Sequence, residues 1–175
     1  MDSLIKPYND RRASFGRHET FSLRYAWLTK GFQAFMKKKA IFNSDEATIE
    51  LGVGKNMVNA IKYWLRASSM LEENSEGLVA TELGTALFSE KGWDQYLEDE
   101  ATLWLIHWLL ASNFDTYTAS YWFFNCFHKT EFTQEEAVEC DDVMGFTLFY
   151  PSYGLFTVSD GLFVVSFPRK VLERL

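Results

Sequence analysis

The run Leu51-Gly52-Val53-Gly54-Lys55-Asn56-Met57-Val58-Asn59-Ala60-Ile61-Lys62-Tyr63-Trp64-Leu65-Arg66 constrains the fold more than any other stretch of this chain. On a helical period Val58, Ile61 and Leu65 fall on one face, while Lys55, Asn59, Lys62 and Arg66 fall on the other. One face is core; the other is polar and cationic. Residues 44–51 read as a short helix that Ser44 caps and Gly52 ends, because glycine tolerates the left-handed conformation that closes many helices. Two helices joined across Gly52-Val53-Gly54 have the spacing of a helix-turn-helix. The same glycines lack the spacing of a phosphate-cradling Walker loop, so the turn is their better explanation.

Residues 69–73 and 77–80 are strand candidates around the turn-forming Asn74-Ser75-Glu76-Gly77, and Thr81 is placed to cap a helix carrying Leu83, Leu87 and Phe88. Helix, turn, helix, hairpin and helix in that order predict a mainly α chain built on a winged helix-turn-helix, whose second helix enters the major groove of duplex DNA. Lys55, Asn56, Asn59, Lys62 and Arg66 are the predicted DNA contacts. Winged helices also serve as protein-docking or dimerisation modules. The acidic hairpin residues Glu72, Glu73 and Glu76, which would repel phosphates, favour that adaptor reading. A transcription regulator that only binds DNA is a further alternative.

Charge is segregated along the chain. Residues 1–66 hold 12 Lys+Arg against 6 Asp+Glu, a net of +6, and residues 67–175 hold 5 against 18, a net of −13. A basic part carrying the helix-turn-helix suits a surface that tracks phosphates, whereas the acidic remainder would be repelled from DNA or dock a basic partner. Apolar residues make up 47% and aromatics 17% of the 175 residues, which excludes disorder as a description of the whole. No apolar run is long enough to span a bilayer and the polar N-terminus is not a signal peptide, so a soluble cytoplasmic protein without membrane contact is expected. Cys126 and Cys140 are the two cysteines, and they lie in no ligand-spaced cluster; His18, His107 and His128 are scattered. Neither a disulfide framework nor a metal site is predicted.

Two parts are expected, 1–90 and 91–175. Residues 1–14 form an arm whose Arg11 and Arg12 reach a minor groove or simply fray. Residues 15–25 gather Arg17, His18, Glu19 and Arg24 around a glycine before a helix. His18, Glu19 and Arg24 are the catalytic candidates, because a histidine and a carboxylate can move protons and an arginine, like Arg17, can hold a phosphate at a helix N-terminus. The same stretch also reads as a cap closed by Thr20 or Ser22, and it matches no known catalytic spacing. A first helix is predicted over 23–38, with Lys37, Lys38 and Lys39 complementing its dipole near the helix-turn-helix, where they are candidate phosphate contacts.

Beyond the wing, residues 101–110 predict a helix apolar almost all round and therefore buried, with His107 satisfied in the core. Residues 118–127 predict a second aromatic helix. Together they form a helical hairpin that covers the winged helix or makes a dimer surface, with a second copy of the chain as candidate partner. Residues 131–142 read as acidic and weakly helical. Residues 155–158 and 162–165 predict a C-terminal β-hairpin across Ser159-Asp160-Gly161. No complete helix-turn-helix precedes that hairpin, so the second half reads as truncated.

Several of these motifs, taken together, resemble a known family. They are Phe15-Gly16-Arg17-His18-Glu19-Thr20-Phe21 with Arg24-Tyr25-Ala26-Trp27-Leu28, the helix-turn-helix run through Ile61-Lys62-Tyr63-Trp64-Leu65, Thr81-Glu82-Leu83-Gly84, Trp93-Asp94-Gln95-Tyr96-Leu97-Glu98-Asp99, and Thr102-Leu103-Trp104-Leu105-Ile106-His107-Trp108-Leu109. The family is a bacterial domain of unknown function found beside DNA phosphorothioation enzymes, and includes the SspB-like component of the Ssp system. The resemblance covers residues 15 to about 128. It implies a role in placing sulfur in the DNA backbone for antiphage defence, alongside a cysteine desulfurase, an ATPase and a PAPS-reductase-like sulfurtransferase. SspB-like proteins are associated with DNA nicking, which would call for a divalent metal as cofactor. No family catalytic motif is carried onto residues here, and no cluster of metal-binding carboxylates stands near the basic region. Family members are longer, and residues 136–143 depart from their pattern.

Overall fold

The computed structural model describes residues 19 and 21–126, together with the backbone of three strands at 131–133, 156–159 and 162–165. Among the described residues the chain is mainly helical. Six α-helices run in order as α1 (Trp27–Lys37), α2 (Ala47–Leu51), α3 (Lys55–Ala67), α4 (Glu82–Phe88), α5 (Glu100–Ser112) and α6 (Thr118–Asn125). Between α3 and α4 lie β1 (Leu71–Asn74) and β2 (Gly77–Ala80), paired antiparallel with Leu71 opposite Ala80 and Asn74 opposite Gly77.

Helix α1 begins four residues later than its apolar pattern predicts. Leu23 is buried outside any regular element, and the Phe21 carbonyl accepts the Trp64 indole N–H at 3.0 Å, so the entry segment is tied to α3 before the helix starts. Ala26 stands at the cap with no side-chain bond, which corrects the expectation that Thr20 or Ser22 closes the helix: Ser22 lies outside the first turn, and Thr20 lies outside the described residues. Tertiary anchoring overrides the local pattern here.

Local signals decide the next elements. Ser44 does not cap α2 in the strict sense, since Glu46 holds the cap position, but its hydroxyl accepts the Glu46 amide at 3.3 Å. Gly52 ends α2 at φ 60°, ψ 38°, the left-handed conformation expected of it. The ribbon turns where Asn74 Oδ1 accepts the Glu76 amide at 2.9 Å. Thr81 caps α4, its hydroxyl accepting the Gly84 amide at 2.9 Å.

The core is one cluster that runs from Leu23 to Leu110, with Phe32, Phe35, Phe88, Ile61, Leu65, Met70 and Leu71 at its centre. Each such side chain stabilises the fold by about 1.5–3 kcal/mol through burial. Helix α1 crosses α3 at Gly31, where a Cβ would lie 2.4 Å from Ile61 Cγ2, and α4 meets the start of the ribbon at Gly84, where a Cβ would lie 2.3 Å from the Met70 carbonyl. No side chain fits at either approach. Edge-to-face contacts among Tyr63, Trp64 and Tyr117 join α3 to the segment before α6, and burial pushes the Tyr117 phenol up to about 12.

Helices α5 and α6 pair as the expected helical hairpin, with Asn125 donating to the Ala111 carbonyl at 2.8 Å. The expectation that α5 is buried all round needs correction. Thr102, Ile106 and Leu110 are buried, but Trp108 is 70% exposed and Trp104 and Leu105 are half-buried. His107 lies half-buried between the rings of Trp104 and Phe124, and burial holds its pKa below the usual histidine value. An apolar composition marks a helix without supplying a neighbour for every side. The C-terminal hairpin is present as β4 (Phe156–Ser159) and β5 (Leu162–Val165). Residues 131–133, expected to open a weak helix, instead form β3 (Glu131–Thr133), antiparallel to β5; this pairing spans a long sequence separation that a local reading does not register.

Candidate nucleic-acid interface

Helix α3 presents the two faces its sequence requires. Val58, Ile61 and Leu65 are buried against α1 and α2, while Lys55, Asn56 and Asn59 are exposed and Lys62 and Arg66 are half-buried. The N-terminal end of α3 carries Gly54 at its cap and no side-chain cap bond, so the positive end of the helix dipole is left to external acceptors. Lys30 adds a charge that the sequence did not single out. Its Nζ lies 3.5 Å from where a Cβ on Gly52 would stand, over the turn that leads into α3. In sequence Lys30 is one polar position on the outer side of α1; only the packing of α1 on α3 brings it to the turn.

The far end of the cationic ridge is occupied. Arg66 Nη2 lies 3.0 Å from Glu73 Oε2 on β1, and Glu72 and Glu76 stand exposed on the same ribbon. The ridge therefore runs from a positive helix start to an arginine already paired with a carboxylate.

The other predicted contacts are drawn into local pairs. Lys38 bonds Glu46, whose carboxyl is held below the usual range by that hydrogen bond and by the ammonium charge. Lys37 lies 3.8 Å from Glu50, Lys39 Nζ sits 4.4 Å from the centre of the Phe35 ring, and Arg24 lies 5.2 Å from that of Trp27. Lys37 and Lys38 thus fasten α1 to α2 through exposed pairs, which solvent screens. Glu19 is exposed at a turn with φ 53°, and Arg17 and His18 lie outside the described residues. Of the catalytic trio, Arg24 and Glu19 are placed and His18 is not described.

The loop after α4 is held by a buried carboxylate. Asp94 accepts the amides of Glu98 at 2.7 Å and Asp99 at 3.0 Å. Burial raises its pKa, but the bonds from the Glu98 amide, the Thr102 hydroxyl and the Asp99 and Leu97 amides outweigh it and hold Asp94 below the usual carboxylate value. Among the described residues, no three His, Cys, Asp or Glu side chains gather where they could hold a metal ion. No described helix is long and apolar enough to cross a membrane.

Two solved structures are similar to this chain. A crystal structure of magnesium ion-bound SspB shares 33% identity at a TM-score of 0.64, covering 72% of this chain and 40% of that one. A second SspB crystal structure shares 33% identity at a TM-score of 0.63, covering 72% and 41%. The chain thus spans about two fifths of the length of the solved proteins it matches. No curated protein matches it. The family described as a protein of unknown function, DUF4007, matches residues 15–143, and the chain belongs to that family.

Proposed function

We propose that this protein is the DNA-binding component of a bacterial DNA phosphorothioation system, with α2, α3 and the β1–β2 ribbon acting as a winged helix-turn-helix. In this reading α3 lies in the major groove, Lys55, Asn56, Asn59 and Lys62 face the duplex, and Lys30 and the uncapped start of α3 take a backbone phosphate. The observation that carries it is the division of α3, where every apolar position faces the core and the cationic positions line the opposite side. The likeness to SspB supports the phosphorothioation setting, in which a desulfurase, an ATPase and a PAPS-reductase-like enzyme would be partners.

Nicking of DNA for sulfur insertion belongs to the same proposal, with His18, Glu19 and Arg24 as its candidate residues. One of the similar SspB structures holds a magnesium ion, but the described residues here do not form a set that fits one, so no step is assigned to a metal. A second reading has a specific observation behind it. Exposed Glu72, Glu73 and Glu76 give the ribbon the wrong sign for phosphate contact and the right sign for a basic protein partner.

Salt-titrated fluorescence anisotropy with a labelled duplex tests the binding claim. The parent chain binds at low salt, and Lys62→Glu/Arg66→Glu weakens binding across all sequences and flattens the salt slope by about one per lost phosphate contact. A parent that does not bind duplex at low salt leaves the adaptor reading. A supercoiled-plasmid assay with divalent metal, run beside it, tests nicking.

A further inference from the structure

The polar face of α3 is not uniformly cationic. By helical spacing Lys55, Asn59, Lys62 and Arg66 form one stripe, and Asn59 stands inside it with Lys55 a turn before and Lys62 a turn after. Asn56 lies about 100° round the helix from Lys55, on the shoulder of the stripe. Arg66, at the far end, is already held by Glu73 at 3.0 Å. The Asn59 side chain is exposed, and among the described residues nothing engages its amide.

Local structure does not account for an asparagine at this place. Asparagine is a poorer helix former than alanine, lysine or glutamate, because its amide competes for the backbone. Its usual service is at caps and turns, and Asn59 is the fifth residue of a 13-residue helix.

Size and chemistry together suit it to a groove floor. Lysines on either side reach outward on four-carbon stems, so a short side chain between them marks where the helix backbone can come nearest to what it lies against. An asparagine amide offers a donor beside an acceptor. In the major groove adenine presents the matching pair, an N7 acceptor beside an N6 donor, whereas guanine presents two acceptors. Resting on the reading of α3 as a major-groove helix, we infer that Asn59 selects an adenine in the duplex. Its amide N–H donates to N7 and its carbonyl accepts from N6, while Lys55 and Lys62 hold the flanking phosphates.

The test begins with a duplex library of randomised core, from which the full chain selects its ligands at low salt, followed by sequencing. The parent enriches adenine at one position. In fluorescence anisotropy on the enriched duplex, changing that A·T pair to G·C weakens the parent about five- to a hundredfold, the worth of a bidentate base contact. Putting 7-deazaadenine at the same position keeps the base pair, removes the N7 acceptor and weakens the parent too. Asn59→Ala binds the three duplexes alike and keeps the parent's salt slope, because no phosphate contact is lost. Asn56→Ala keeps the preference. Circular dichroism of Asn59→Ala matches the parent, as expected for an exposed position. A parent that binds duplex but enriches no adenine overturns the inference and leaves duplex binding standing. So does a preference that survives Asn59→Ala, or one that is lost in Asn56→Ala. A parent that binds no duplex at low salt overturns the reading of α3 and this inference together.

Discussion

Replacing Gly31 by alanine tests how α3 is held in place. The new Cβ would stand 2.4 Å from Ile61 Cγ2 and 2.9 Å from Leu65 Cδ1, where carbon atoms settle at about 3.5–4.0 Å. Leu65 Cδ1 is the end of a flexible side chain and can turn away. Ile61 Cγ2 cannot, because it branches at Cβ and a helical isoleucine has one strongly preferred χ1. Helix α1 must therefore back away from α3 by about 1 Å at the crossing. Overpacking of this kind costs about 1–3 kcal/mol, with so short a contact near the upper end, and alanine returns about 1 kcal/mol of helix propensity. The net expectation is a loss of about 2 kcal/mol, read in urea unfolding as a midpoint lower by about 1 M with an unchanged slope. Ile61→Leu moves the branch away from Cβ, so Gly31→Ala/Ile61→Leu recovers about 1 kcal/mol relative to additivity. A Gly31→Ala protein as stable as the parent, or a strictly additive pair, would refute the argument that this methyl sets the distance between the helices.

Further outcomes follow from other contacts. Glu73→Gln releases Arg66, so duplex binding tightens by up to about fivefold at low salt, the worth of an exposed pair of about 1 kcal/mol, and the anisotropy salt slope steepens by about one; weaker binding would show that Glu73 positions Arg66 instead. Gly84→Ala drives its Cβ into the Met70 carbonyl and the Phe32 ring, neither of which can swing aside, and costs at least about 3 kcal/mol in thermal or urea unfolding. Asp94→Ala costs about 2–3 kcal/mol at neutral pH because two loop amides lose a charged acceptor. Since the folded pKa of Asp94 lies below the ordinary value, its contribution is fully present above that ordinary value. It fades as pH falls through the ordinary value and then the folded one, so parent and variant converge in acid. A stability gap independent of pH would contradict that account.

What could be read from the sequence was what neighbouring residues decide among themselves. The two faces of α3, the left-handed Gly52, the Asn74 turn and the Thr81 cap all depend on residues within a few positions, and each is found in place. The late start of α1 was not legible, because the Trp64 indole that ties down Phe21 lies 43 residues away. Pairing of Lys37 and Lys38 with Glu50 and Glu46 depends on how α1 and α2 cross, as does the arrival of Lys30 at the Gly52 turn. The exposed Trp108 taught the opposite lesson. Residue type reported that α5 is apolar, but which of its sides meets another helix is decided by the chain elsewhere.

The Thr81 hydroxyl does more than begin α4. It also donates to the Ser69 carbonyl at 2.8 Å, with the Met70 carbonyl at 3.2 Å, while the Thr81 amide donates to Met70 at 3.1 Å. One residue thereby clasps the root of the ribbon where both strands leave the body. The tip, an exposed turn beyond Asn74, can be spliced with extra residues between Ser75 and Glu76 without displacing a helix, because loop closure grows only slowly with length. Reach is thus an adjustable property of the tip, and aim is a fixed property of the clasp.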